Sequence, residues 1–356
     1  MSERRLRVAV LGAGTVGGAV IRALLERSDE LAVDGRPALE LAGSAVRDVD
    51  AAVRRGLPRE LVTDAPAHLV ASGNVDVIVE VMGGEEPALT LVAAALGAGV
   101  PVVTANKHVL AHHGSRLEAI ARRTGAPLRF EAAVGGGIPV LAPLARDLAA
   151  NRVRAVRGIV NGTTNYILSA MTDEGRDYAS VLADAQGAGY AETDPTADVE
   201  GHDAVNKLVV LARLAFGTWL DPADVAVADP DGPGGGLPGI TGVTTEDIAA
   251  AARAGEVVKL LAEAVRRDDG SVRAQAVATR VAADSALGRT AGVLNRIEVD
   301  AVPVGTVAFS GPGAGGPATS SAVLGDLLAV AAGDGSTWGN LPEATSSVAT
   351  AAGARS

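Results

Sequence analysis

The chain has 356 residues, enough for about two domains, and its core must be built from small aliphatic side chains, since 48% of residues are hydrophobic and only 2% aromatic. A net charge of −11 lacks the basic footprint needed to bind nucleic acid or an anionic membrane surface, and the absence of cysteine excludes disulfides and thiolate catalysis. The opening MSERRLRVAVLG has arginines but no apolar core or cleavage site of a signal peptide, and no apolar run reaches the roughly 20 residues of a membrane span, so a cytoplasmic protein without a membrane partner is expected.

Residues 6–11 form a short apolar run ended by glycines, and residues 16–27 follow with helical periodicity. Residues 39–46 are a second strand candidate. The β-branched run at 75–81 has the continuous apolarity of a strand buried on both faces. Residues 87–98 predict a helix, 100–103 a strand, 115–124 a helix and 128–132 a strand. Such alternation indicates an α/β, Rossmann-type parallel sheet. After about residue 139 the rhythm changes. A strand at 153–160 precedes helices at 163–172, 178–188 and 203–216, and strands at 272–281, 296–301 and 304–309 follow mostly without helices between them. An α+β substrate and dimerisation domain over 139–309 is expected, with 1–138 plus 310–333 as the nucleotide domain. The loop DPDGPGGGLPG (229–239) is too rich in Gly and Pro for regular structure. A last helix is predicted at 317–332, and 334–356 is expected to be a mobile tail.

LGAGTVGG places Gly12, Gly14 and Gly17 in G-x-G-x-x-G spacing between a strand and a helix, with Thr15 and Val16 at the helix start. Gly12 permits the tight turn, Gly14 lets backbone approach a pyrophosphate, Gly17 allows close helix–strand packing, and the helix supplies free N–H groups. The bland alternative is a Gly-rich turn that binds nothing. Where an acid often bonds the ribose of NAD, the second strand ends in Ala45-Val46-Arg47-Asp48. Arg47 suits a 2′-phosphate, which favours NADP with NAD still possible; otherwise it is a solvated arginine beside Asp48.

Five carboxylates (Glu192, Asp194, Asp198, Glu200, Asp203) fall within twelve residues that lead to Lys207. Only three lysines, Lys107, Lys207 and Lys259, stand among the 31 basic residues. Asp203 and Lys207 are four apart and share a helix face ahead of the apolar run LVVLARLAF. Burial lowers an ammonium pKa and carboxylates raise it, so a lysine there can exchange a proton where arginine cannot. The bland reading is an i,i+4 surface ion pair. Asp194, before Pro195, suits a turn or cap. Lys107 follows VPVVTAN at the carboxyl end of a predicted strand, the edge where α/β sheets bind ligands, or is an ordinary exposed lysine. His108 and His112 are four apart, but without an HExxH pattern or cysteine zinc is not expected.

Together these motifs resemble homoserine dehydrogenases. The resemblance rests on LGAGTVGG, VEVMGG (79–84), VTANK (103–107), EAAVGGGIP (131–139), NGTTNYIL (161–168), GYAETDPTADVEGHDAVNKL (189–208), GPGAGGPAT (311–319) and LGDLL (324–328), in order along about 330 residues. It implies reversible hydride transfer between NAD(P)H and L-aspartate 4-semialdehyde, giving L-homoserine, on the way to threonine, methionine and isoleucine. It further implies that Glu192 and Asp203 hold the substrate ammonium, Asp198 shapes the site, and Lys207 is the proton donor with Lys107 as second active-site lysine. Thr104 and Gly315 would contact the cofactor. Glu131, Val134, Gly136 and Ile138 would hold a monovalent cation, Na+ or K+, chiefly through backbone carbonyls; otherwise that glycine loop is a hinge. A homodimer through the second domain's sheet is implied, with pairing into tetramers left open. Many members continue after LGDLL into a regulatory ACT domain; this chain ends some 30 residues later, so threonine feedback through such a domain is not expected. Two alternatives stand beside this reading: an oxidoreductase of the same architecture acting on another small carbonyl compound, and a cofactor-binding sensor that lost its chemistry, against which Asp203 and Lys207 speak.

Overall fold

In the computed structural model, which describes residues 5–32 and 36–346, the chain separates into two compact units. The first comprises the chain up to Asp147 together with Ala314–Leu341, and the second comprises Leu148–Gly313 and the segment from Pro342 onward.

The first unit runs β1 (Arg5–Leu11), α1 (Thr15–Glu26), α2 (Ser28–Leu31), β2 (Ala38–Ala45), α3 (Val49–Arg54), β3 (Val62–Thr63), α4 (Pro66–Ala71), β4 (Val77–Glu80), α5 (Ala88–Gly97), β5 (Val102–Thr104), α6 (Lys107–Thr124), β6 (Leu128–Arg129) and α7 (Leu141–Ala145). All strand pairs are parallel, in the order β3-β2-β1-β4-β5-β6. That order reverses direction between β1 and β4, where open α/β sheets leave a crevice at the carboxyl ends of their strands. The final helix α13 (Gly316–Ala331) returns to this unit and packs beside α1. Val8, Val10, Val77, Val79 and Val103 from the sheet meet Ile21 and Leu24 of α1 and Val323 and Leu327 of α13. Each such aliphatic side chain contributes about 1.5–3 kcal/mol of burial, so a core nearly free of aromatic rings is held by number rather than size.

The second unit contains β7 (Arg152–Ile159), α8 (Gly162–Glu174), α9 (Tyr178–Gly187), α10 (Thr196–Val199), α11 (His202–Phe216), β8 (Thr218–Trp219), α12 (Thr245–Arg253), β9 (Glu256–Arg266), β10 (Val272–Ala282), β11 (Leu294–Val302), β12 (Gly305–Pro312) and β13 (Thr345–Ser346). Five strands form an antiparallel sheet in the order β10-β9-β7-β11-β12. Helices α8, α11 and α12 lie against β9. α11 is buried nearly throughout its length, as its apolar run requires.

Several elements differ from the sequence expectation. α6 starts at Lys107 rather than near residue 115, because Asn106 caps it by accepting the N–H of Val109. The predicted strand at 128–132 ends at Arg129 and gives way to a 3-10 turn at Glu131–Ala133. β9 (EVVKLLAEAVR) was not anticipated: its Glu, Lys, Leu and Ala are helix formers, and only pairing along eleven residues with β10 on one side and with β7 on the other makes it a strand. The stretch 334–346 is not a loose tail. Leu128 N–H bonds Ser336 Oγ, Phe130 N–H bonds Thr337 Oγ1, Arg129 donates to the Gly335 carbonyl, and β13 pairs with β8. The rest of the expected tail, 347–356, lies outside the described residues. No helix among the described residues is long and apolar enough to cross a membrane.

Candidate active site

At the end of β1 the chain turns through Gly12, whose φ of +99° is in the region that favours glycine. A β-carbon there would come 2.9 Å from the Val81 carbonyl oxygen at the end of β4, and one at Gly17 would sit 1.8 Å from Gly12 O. The turn therefore tolerates no side chain at either position. Gly14, the N-cap of α1, faces open space. No side chain caps α1 and its first turn holds no acid, so the leading N–H groups around exposed Thr15 and half-buried Val16 are left for an anion. Gly315, at the head of α13, also has open space around it at φ +109°. These residues fit a dinucleotide pyrophosphate.

Arg47 is exposed beyond β2, and its guanidinium has no ion-pair partner among the described residues. The neighbouring Asp48 is committed elsewhere, accepting Ala51 N–H at 2.8 Å as the N-cap of α3. At the carboxyl ends of β4 and β5 a buried network holds Lys107. Thr104 Oγ1 donates to Glu80 Oε2 at 2.6 Å, and Met82 N–H donates to Glu80 Oε1 at 2.8 Å. Asn106 donates its backbone N–H to Thr104 Oγ1 and its amide to Gly84 O, while its side-chain oxygen caps α6. Burial pushes the Glu80 carboxyl above its ordinary range, and the Thr104 bond draws it partly back. Lys107 is the first residue of α6 and half-buried. Glu80 was not singled out in the sequence, although a lone carboxylate in a β-branched strand is the signal that marks it.

The loop expected to hold a cation is buried at Glu131, Val134, Gly136 and Ile138. The Glu131 carboxylate is fully employed: it accepts N–H groups from Val140 and Leu141 on Oε1 and Ala142 on Oε2, at 2.7–2.8 Å. Burial raises its pKa against those three bonds. Asp326 of the LGDLL motif accepts Glu131 N–H and pairs with Arg129 at 2.8 Å, fixing the loop to α13. Among the described residues no group of three or more His, Asp or Glu could hold a metal ion. His108 and His112 stack at 4.4 Å, and Glu85 reaches His113 at 2.8 Å and His108 at 3.5 Å.

In the second unit the acidic stretch sorts by depth. Glu192 is exposed; Asp194 accepts Thr196 N–H at 3.1 Å as a turn residue, and Glu200 lies 3.2 Å from His202. Asp203 and Lys207 are buried on α11. Lys207 Nζ donates to Asp203 Oδ2 at 2.7 Å and to the Val160 carbonyl at 2.6 Å, so the i,i+4 pair is an interior one. Two of its three donors are thereby engaged, which leaves one for a reacting oxygen.

Asn161, which follows β7, joins the cluster and was missed as a site residue. Its side-chain oxygen caps α8 by accepting Thr164 N–H at 2.9 Å, which fixes which way the amide points. Its Nδ2 then donates to Asp198 Oδ1 at 2.7 Å and Asp203 Oδ2 at 2.8 Å. Burial lifts the half-buried Asp198 carboxyl above its usual range and the Asn161 bond lowers it; Asp203 adds to the rise and Lys207 opposes it. The sequence signals for Asn161 are its place at the head of NGTTNYIL and an N-cap residue ahead of a helical run, and neither points to the carboxylates it holds. Its partners lie 37 and 42 residues away.

A family model for "Homoserine dehydrogenase" matches residues 139–328, and one for "Homoserine dehydrogenase, NAD binding domain" matches residues 12–131. The homoserine dehydrogenase of Mycobacterium bovis is 45% identical over 333 residues, covering 92% of this chain and 73% of the relative. That of Corynebacterium glutamicum is 43% identical over 347 residues, with 94% and 76% covered. The crystal structure of a homoserine dehydrogenase from Thiobacillus denitrificans superposes with a TM-score of 0.87 at 35% identity, covering 96% of this chain and 79% of that one. The chain belongs to the homoserine dehydrogenase family and is a nicotinamide-dependent oxidoreductase acting on a CH–OH group, interconverting L-homoserine and L-aspartate 4-semialdehyde on the route to threonine, methionine and isoleucine.

Proposed function

We propose that the first unit binds NADP in preference to NAD and that the second holds the amino-acid substrate at the Asp203–Lys207 cluster. The observation that carries this reading is the buried lysine with one donor left over, set beside carboxylates suited to an ammonium group. When bound, the nicotinamide supplies or accepts the hydride. Lys207 gives a proton to the oxygen that becomes the hydroxyl of homoserine, and takes it back in the oxidative direction. Asp203 and Glu192 hold the substrate's α-ammonium, with Asp198 shaping the site. Lys107 serves as the second active-site lysine at the nicotinamide end, and Thr104 and Gly315 line the cofactor. Arg47 reads the 2′-phosphate, a role favoured by the commitment of Asp48 to its helix cap.

The carbonyls of Glu131, Val134, Gly136 and Ile138 are proposed to hold a monovalent cation, Na+ or K+; the Glu131 carboxylate is taken up by three amides, so only its backbone oxygen is offered. A homodimer formed through the five-stranded sheet is proposed, at twice the 35.5 kDa chain mass in sedimentation equilibrium; a monomer would overturn it. The proposed place of action is the cytoplasm, which suits a chain without cysteine.

The test is the initial rate of L-homoserine-dependent reduction of NADP+ and of NAD+ at equal concentration, for the wild type, Arg47→Ala and Lys207→Met. The wild type is expected to favour NADP+ and Arg47→Ala to lose that preference. Lys207→Met is expected to lower kcat by about 100-fold or more, the usual contribution of a positioned proton donor, with NADPH binding unchanged. Retention of most of kcat by Lys207→Met would move the proton-donor role to Lys107.

A further inference from the structure

The third lysine has no part in this chemistry, yet Lys259 is more deeply buried than Lys207: 3% exposed against 8%. It sits in the middle of β9, opposite Thr279 of β10, and its ammonium points into the layer between the sheet and α8. Nζ donates to Asn165 Oδ1 at 3.0 Å, Ser169 Oγ at 3.4 Å and the Thr290 carbonyl at 2.8 Å. All three acceptors are neutral and buried. Asp173, one turn beyond Ser169 on α8, acts on Lys259 only through space. A buried ammonium without a bonded carboxylate costs stability, and methionine of similar length would pack there without that cost. A tetrahedral ammonium does suit three separated acceptors better than the planar fork of arginine.

What the three bonds accomplish is visible along α8. Asn161, Asn165, Ser169 and Asp173 recur every four residues and so form one polar stripe. Asn161, at its head, holds Asp198 and Asp203, and the next two positions are held by Lys259. The segment that contributes Thr290 is stitched to the same helix, with Asn165 Nδ2 donating to Leu294 O and Gly292 N–H to Ser169 Oγ. We propose that Lys259 is a positioning residue: by fixing the axial and rotational setting of α8 against β9 and the 290–294 segment, it sets where Asn161 holds Asp198 and Asp203. The proposal rests on the reading that this cluster binds the substrate.

The test compares Lys259→Met, Asn161→Ala and the double variant by steady-state kinetics with L-homoserine and NADP+, alongside NADPH binding by fluorescence. Lys259→Met is expected to raise the homoserine KM about tenfold, with NADPH affinity within about twofold of wild type. Lys259→Gln, which keeps two donors, is expected to recover part of that loss. The double variant is expected to be no worse than Asn161→Ala, because both act through one helix cap. A Lys259→Met enzyme with wild-type KM while Asn161→Ala is impaired would overturn the anchor alone and leave Lys259 a fold residue. Wild-type KM in Asn161→Ala would overturn the anchor together with the reading beneath it. If Lys259→Met does not fold, Asn165→Ala reads the same link from the helix side: a raised KM supports the anchor, and an unchanged one overturns it.

Discussion

The three lysines occupy three electrostatic situations, and the difference has a measurable consequence. Lys107 heads a helix, Lys207 donates to a carboxylate, and Lys259 lies among neutral oxygens. Burial lowers the Lys259 pKa from 10.5 to about 8, with Asp173 opposing the shift. In the unfolded chain the group keeps its proton up to about pH 10, so between the two values the unfolded state binds more protons than the folded one. Stability from this group therefore rises as pH increases from 8 and is lowest below it. Relative to Lys259→Met, the wild type is expected to gain about 2 kcal/mol between pH 7 and pH 9.5. Urea unfolding of both proteins across that range measures the difference, in which other titrations cancel. A gap that stays constant with pH would mean that the lysine is not held as a desolvated cation.

Among the elements, the β1–α1 turn makes the strictest steric demand. A methyl group on Gly17 would fall 1.8 Å from Gly12 O, a contact relieved only by moving backbone at the head of α1. Gly17→Ala is expected to weaken NADPH binding by about 100-fold or more, since the free helix N–H groups are then displaced from the pyrophosphate. Fluorescence titration checks this, and binding within about threefold of wild type would show that the turn is softer than its packing indicates. This turn was legible because its glycines, strand and helix are contiguous. So were β4, by its β-branched run, and the Asp203–Lys207 pair, by its helical spacing. β9 was not legible, because its composition favours a helix and its strand state depends on its neighbours β10 and β7. Nor was Asn161: its cap role is local, but its bonds to Asp198 and Asp203 exist only once β7 and α11 are packed. The bonds of Lys259 to α8 are equally long-range.

At the scale of the whole molecule, the chain's two tryptophans mark the segment 334–346, whose order no periodicity predicts. Trp338 is 3% exposed in the first unit, with its ring 6.0 Å from Phe130 and the Arg122 guanidinium 5.5 Å above it. Arg122 also donates to Leu341 O, while Ser336 and Thr337 accept N–H groups beside β6. In the second unit, Trp219 lies in β8, the strand that β13 joins, and Arg213 donates to Pro342 O. Hydrophobic periodicity could not reveal this, because the segment is neither helix nor long strand; it is ordered by side chains that come from elsewhere. In a core of small aliphatics one indole is a large share of the packed volume. Replacing it by alanine removes about 3–5 kcal/mol, since neighbours collapse only partly into the space. For the first unit, unfolding as one cooperative domain, that loss corresponds to a fall of about 10 °C in its thermal midpoint. Calorimetry of Trp338→Ala reads it directly. A midpoint within about 2 °C of wild type would show that residues 336–341 rest on the first unit without stabilising it, whereas the full loss would make this segment part of the nucleotide unit's core.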